Sequence, residues 1–317
     1  MYKIRREFYF FNPKLNFAWD FWFWGYNIRE MKKRLHIIGV LVVLAAAACL
    51  VYAWTGNNRV AYSKDGTKIV YSVYGKGEPA LVFIHGWCGS RAVWYKQIPY
   101  FAKKYKVIVL DLGGYGASGK QRKAYTQEAF GEDVAAVVNA SGASKVILIG
   151  HSMSGTIILE ANRLLKDKVI GLIAIDTLEN FEYMATPEDK IKYIEPLKKD
   201  FVKNSAPFMR DMFNKNADPK LVELVVRNVA RSNPEIAINT MEYYFDTPII
   251  PLLVDVNVPL WCLSADLWQQ YQHPEINSKY LKSYHLRVMP GVGHFLMVEA
   301  PDEFNKQLED IINQIKK

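Results

Sequence analysis

The chain has 317 residues, half of them apolar and 23% charged, which is ample for one large α/β domain or two small ones and excludes intrinsic disorder. Three cysteines (Cys49, Cys88 and Cys262) cannot staple a chain this long, so a disulfide scaffold is excluded as well. The net charge of +8 sits at the start, where residues 1–34 carry eight Lys/Arg against three Asp/Glu; the remaining 283 residues hold only +3, and no nucleic-acid groove is indicated.

Residues 1–30 contain twelve of the 43 aromatics, in runs such as FYFF and FWFW, with no helical or strand period to organise them. They are expected to be an upstream extension outside the fold, with Met31 as the natural start. The alternative is an aromatic segment lying on a membrane surface. Met31 then opens a stretch, residues 31–54, with the basic, apolar and small-residue order of an export signal. Within it, residues 35–54 are twenty positions without a charge, enough for a helix to cross ~30 Å of hydrocarbon. No other stretch is as long and apolar, so a polytopic membrane protein is not expected. Lys32, Lys33 and Arg34 keep that end cytoplasmic and send the rest outward. Three fates compete: lipoprotein processing at Cys49 after Ala46-Ala47-Ala48, ordinary signal cleavage there, or an uncleaved anchor, since residues 50–54 stay apolar. All three start from membrane insertion, and an extracytoplasmic, membrane-attached protein is the expectation.

From residue 59 the chain alternates short β-rich runs with longer amphipathic ones. Residues 59–63 and 68–74 flank the turn Lys64-Asp65-Gly66 and predict a hairpin. Residues 80–85, 106–112, 145–150, 169–176 and 259–264 are continuous apolar runs, as strands buried on both faces require, and residues 286–289 give a last short strand. Helical periods lie between them, for example over residues 126–140. The alternation specifies a parallel sheet wrapped by helices. One interruption, residues 177–256, is too long for a loop. It carries helical stretches near 187–203, 219–231 and 234–245, each opening at a proline that suits a first helical turn. It is expected to form a helical cap over the C-terminal edge of the sheet, with residues 59–176 and 257–317 as the core.

The chemistry sits at strand ends. Gly150-His151-Ser152-Met153-Ser154 follows a β run and opens an apolar helix, as a nucleophile elbow does. The sharp turn needs small residues two before and two after the serine; Gly150 and Ser154 qualify, although glycine is usual at the second place. A serine hydroxyl needs a base to take its proton. Of six histidines, His294 alone follows the last strand in a glycine-rich loop, before a closing amphipathic helix. The base in turn needs an acid to fix its tautomer. Asp266, just past the strand 259–264, gives the order Ser…Asp…His and is favoured; Asp176, at the end of the preceding strand, competes. Two backbone N–H groups must face the oxyanion, and those of Met153 and Trp87 are the candidates.

Taken together, HGWCGS (85–90), DLGGYGASG (111–119), GHSMSG (150–155), PLWCLSAD (259–266) and PGVGHFLMVEAPDEFN (290–305) make the chain resemble the α/β-hydrolase superfamily over about residues 60–317. The resemblance implies a mostly parallel eight-stranded sheet flanked by helices, with a cap inserted after strand 6. It implies Ser152 as nucleophile, His294 as base, Asp266 as acid, and the Trp87 and Met153 amides as oxyanion hole. Epoxide hydrolases and haloalkane dehalogenases are similar but carry aspartate as nucleophile, so serine here points to acyl transfer. No metal or organic cofactor is implied. The expected substrate is a small or medium apolar carboxylic ester, with the cap aromatics and methionines, such as Phe208, Met212 and Tyr244, as an acyl pocket or simply as packing. The alternatives are a ligand-sensing hydrolase fold with little or no turnover, and an acyltransferase or carbon–carbon bond hydrolase on the same site.

Overall fold

The computed structural model describes residues 58–317, and the readings of residues 1–30 and 31–54 lie outside the described residues. Among the described residues, no helix is long and apolar enough to cross a membrane.

Eight strands form one sheet among the described residues. In chain order, the hairpin β1 (Asn58–Tyr62) and β2 (Lys68–Tyr74) leads to β3 (Ala80–Ile84), α1 (Gln97–Phe101), β4 (Val107–Leu110) and α2 (Gln127–Ser141). There follow β5 (Val146–His151), α3 (Ser154–Leu165) and β6 (Val169–Ile175). The insert supplies α4 (Pro187–Lys199), α5 (Phe201–Arg210), α6 (Pro219–Ala230) and α7 (Pro234–Asp246). The chain closes with β7 (Leu260–Ala265), α8 (Pro274–Tyr280), β8 (Tyr284–Met289), α9 (Leu296–Glu299) and α10 (Pro301–Ile315). The spatial order is β1-β2-β4-β3-β5-β6-β7-β8. Only β2 runs against its two neighbours; the pairs from β4 through β8 are all parallel.

Every residue of β3, β4 and β5 is buried, because the period of two sends alternate side chains to two covered faces. Val82, Ile84, Ile108 and Leu148 join Phe130, Val134 and Ile158 of α2 and α3 on one face. Leu81, Phe83, Val107 and Ile147 join Ile98, Phe101, Phe304 and Leu308 of α1 and α10 on the other. Burying each of these side chains stabilises the fold by roughly 1.5–3 kcal/mol.

The insert is helical throughout its middle, as expected, but the predicted helix over 187–203 is two helices. Asp200 turns to φ −159°, ψ 96°, ending α4, and its carboxylate accepts the Lys203 N–H that opens α5. The same device starts the other cap helices: Thr186, Asp218 and Asn233 each accept a first-turn N–H, ahead of Pro187, Pro219 and Pro234.

Candidate active site

Strand β5 passes into α3 through a single residue with left-handed backbone, Ser152 at φ 58°. That region disfavours a β-carbon and costs about 1–3 kcal/mol, so it persists only where surrounding contacts impose it. Here they do. The Ser152 N–H donates to Ile175 O (3.0 Å) and its carbonyl accepts the Gly155 N–H (2.9 Å). A β-carbon at Gly150 would lie 2.4 Å from Ser154 O, which is why the position two before the serine holds glycine. The serine two positions after it is accommodated, because Ser154 Oγ donates to His85 O at 2.6 Å. That bond ties the elbow to the loop after β3.

His294 stands in the loop after β8, 8% exposed. Its Nδ1–H donates to Asp176 Oδ2 at 2.6 Å, which leaves Nε2 bare to accept a proton. Asp176 Oδ1 accepts the Ala265 N–H at 2.7 Å, so both carboxylate oxygens are engaged and the acid cannot swing. Because the Ser152 amide bonds to the residue just before Asp176, Ser152, Asp176 and His294 are linked near the C-terminal ends of β5 and β6.

The preference for Asp266 as the acid beside His294 is therefore corrected. Both Asp266 oxygens accept the Gly291 N–H, each at 3.0 Å, and Asp266 braces the backbone of the histidine loop instead of its ring. The physical reason lies at the end of β7. Asp176, at φ 50°, turns across the strand end to bond Ala265 and thereby fills the place from which a carboxylate reaches the imidazole.

The Trp87 and Met153 amides donate to no acceptor among the described residues. Met153 stands at the N-terminus of α3, where the helix dipole favours an anion. Trp87 is fixed from the cap side: its indole N–H donates to Ala237 O of α7 at 2.8 Å, and its ring packs against Phe208 of α5. Beneath the site, His151 donates from Nε2 to His294 O at 2.9 Å. Burial, then the neighbouring His294, hold the His151 ring well below the usual histidine range, so it stays neutral.

One acidic group beside the dyad went unnoticed in the sequence. Glu179, half-buried three residues after Asp176, accepts a hydrogen bond from Ser264 Oγ at 2.8 Å. Burial, and then repulsion by Asp176, push its carboxyl up to about 7. Its sequence signal was slight: one glutamate just past a strand that already ends in an aspartate. The cap residues divide. Phe181, Met209 and Phe213 are buried as packing, while Tyr183, Met184 and Tyr243 face solvent. Phe208, Met212 and Tyr244 are partly buried against the core, as are Trp87 and Phe295. Cys88 and Cys262 are buried free thiols, and burial pushes both well above the usual range.

A family model for the alpha/beta hydrolase fold matches residues 79–301. Among curated proteins, the chain is 23% identical over 245 residues to the karrikin insensitive 2 receptor CA of Petunia hybrida, covering 73% of this chain and 90% of that one. It is 26% identical over 277 residues to a non-heme haloperoxidase of Rhodococcus erythropolis, covering 79% and 97%. Among solved structures, the esterase EaEST of Exiguobacterium antarcticum superposes with a TM-score of 0.72 at 21% identity, over 81% of this chain and 99% of that one. On the family match and the sheet order together, the chain belongs to the α/β-hydrolase fold family.

Proposed function

We propose that this protein is a serine hydrolase that cleaves small or medium apolar carboxylic esters through an acyl-enzyme. The observation that carries the reading is the pairing of a left-handed serine at a strand–helix turn with an imidazole locked by a buried carboxylate. In the proposed mechanism Ser152 Oγ attacks the ester carbonyl while His294 Nε2 takes its proton. Asp176 holds the productive tautomer and stabilises the imidazolium. The Trp87 and Met153 amides receive the developing oxyanion. His294 then returns the proton to the leaving alcohol, and water, activated by the same ring, releases the acid. Phe208, packed on Trp87, and Phe295, packed on His294, support an apolar acyl side. One similar solved structure, EaEST, is named an esterase, which agrees with ester chemistry.

A fluorophosphonate probe tests this directly. It is expected to label Ser152, with labelling abolished in Ser152→Ala and turnover of p-nitrophenyl butyrate reduced by ~10³–10⁶-fold. Labelling that survives the substitution removes the nucleophile assignment.

A second reading is favoured by the likeness to the petunia receptor: a fold that binds a ligand and turns over slowly or not at all. Turnover indistinguishable from Ser152→Ala, together with clear thermal stabilisation by a ligand, selects it. We also propose that residues 31–54 attach the enzyme to a membrane with the catalytic domain on the extracytoplasmic side. The uncharged run after Lys32, Lys33 and Arg34 supports this. Release of the full chain from membranes by alkaline carbonate alone overturns it.

A further inference from the structure

The cap and the histidine loop share a single seam. The His294 N–H donates to Met212 O, in the turn between α5 and α6, at 2.8 Å. Next door, Gly293 lies so close to this turn that a β-carbon there would fall 2.5 Å from Asn214 N and 2.6 Å from Met212 O. Phe213 stacks on Phe295, with centroids 4.7 Å apart and planes inclined by 19°. One carboxylate joins the two chains: Glu299 Oε2 accepts both the Gly293 N–H (3.0 Å) and the Asn214 N–H (3.2 Å). Its second oxygen, Oε1, is buried and without a partner among the described residues.

We propose that Glu299 is a positioning residue that makes the seating of the cap a condition for the alignment of His294. The inference rests on the hydrolase reading above. The backbone of His294 is gripped from two sides, by Met212 O on its amide and by His151 Nε2 on its carbonyl. Glu299 fixes the residue immediately before it. With the carboxylate gone, the 212–214 turn and the 293–294 loop part, and the imidazole loses the geometry that Asp176 alone cannot restore. Substrate binding is affected less than the chemical step, because Glu299 approaches the backbone and not the acyl side.

The experiment compares Glu299→Gln and Glu299→Ala in the full chain. Ala is expected to lower both kcat and the rate of Ser152 labelling by roughly 10²-fold, the effect of about an ångström of misplacement, with KM changed by less than about threefold. Gln keeps an oxygen for both amides and is expected to restore most of the rate. Hydrogen exchange at residues 212–214 and 293–294 is expected to quicken in Ala and not in Gln. Should Glu299→Ala fail to fold, Phe213→Ala opens the same seam from the cap side and is expected to lower kcat, not raise KM. Wild-type labelling rates in both alanine variants overturn the proposal. Equal losses of kcat in Gln and Ala overturn it too. An unlabelled wild-type Ser152 condemns the hydrolase reading instead.

Discussion

Asp176 and Asp266 occupy equivalent places in sequence, each just past a strand, yet only one touches the imidazole. Asp176→Asn is expected to leave the fold intact and lower kcat by up to ~10⁴-fold, through the wrong tautomer and an unstabilised imidazolium. Asp266→Asn keeps one oxygen for the Gly291 amide and is expected to lower kcat by less than about tenfold, with a loss of less than about 1 kcal/mol in denaturant unfolding. Reversed magnitudes in steady-state assays refute the geometric assignment. The places of Ser152 at a strand–helix turn and of His294 in the loop after the last strand were legible because their surroundings are local: such a turn tolerates only small flanking residues, and a glycine-rich run after the last apolar strand marks a loop. Which carboxylate meets the imidazole was not, since that depends on how the loop after β6 folds across the end of β7. The serine at position 154 likewise read as a mere tolerance, whereas its hydroxyl is a bond to His85 O.

Among the elements, the cap helices were legible from their openings and not from their ends. Pro187, Pro219 and Pro234 mark first turns, and the residue before each accepts a backbone N–H. The break between α4 and α5 escaped notice because apolar residues continue across it and an aspartate in mid-helix is unremarkable; only its extended backbone reveals a cap. Asn233 has the largest reach of these caps, since it opens α7, whose Ala237 carbonyl holds the Trp87 indole. Asn233→Ala is expected to cost about 1 kcal/mol, seen as a Tm lower by roughly 2–4 °C. An unchanged Tm means that α7 is held by packing alone.

For the whole molecule, a parallel sheet wrapped by helices followed from the alternation of runs, because buried parallel strands need covering helices on both faces. Its response to pH did not, because it depends on which carboxyls end up beside one another. With Glu179 pushed up to about 7 from 4.5, the folded chain keeps a proton that the unfolded chain releases. Stability from this group is full below 4.5 and is lost as pH rises through about 7. Tm is therefore expected to fall between about pH 5 and about pH 8, and Glu179→Gln to flatten that slope. A slope of equal size in the variant assigns the effect to other groups. Two of the attachments of the cap, at Trp87 and at Met212, bear on how such a protein diversifies. An insert grafted from a relative brings its own selectivity, but it must also present a carbonyl to the base loop and an acceptor to the indole. Grafts that match in volume and miss these two partners inherit the donor's affinity without its turnover, so new specificities here arise more readily by substitution within the cap than by its exchange.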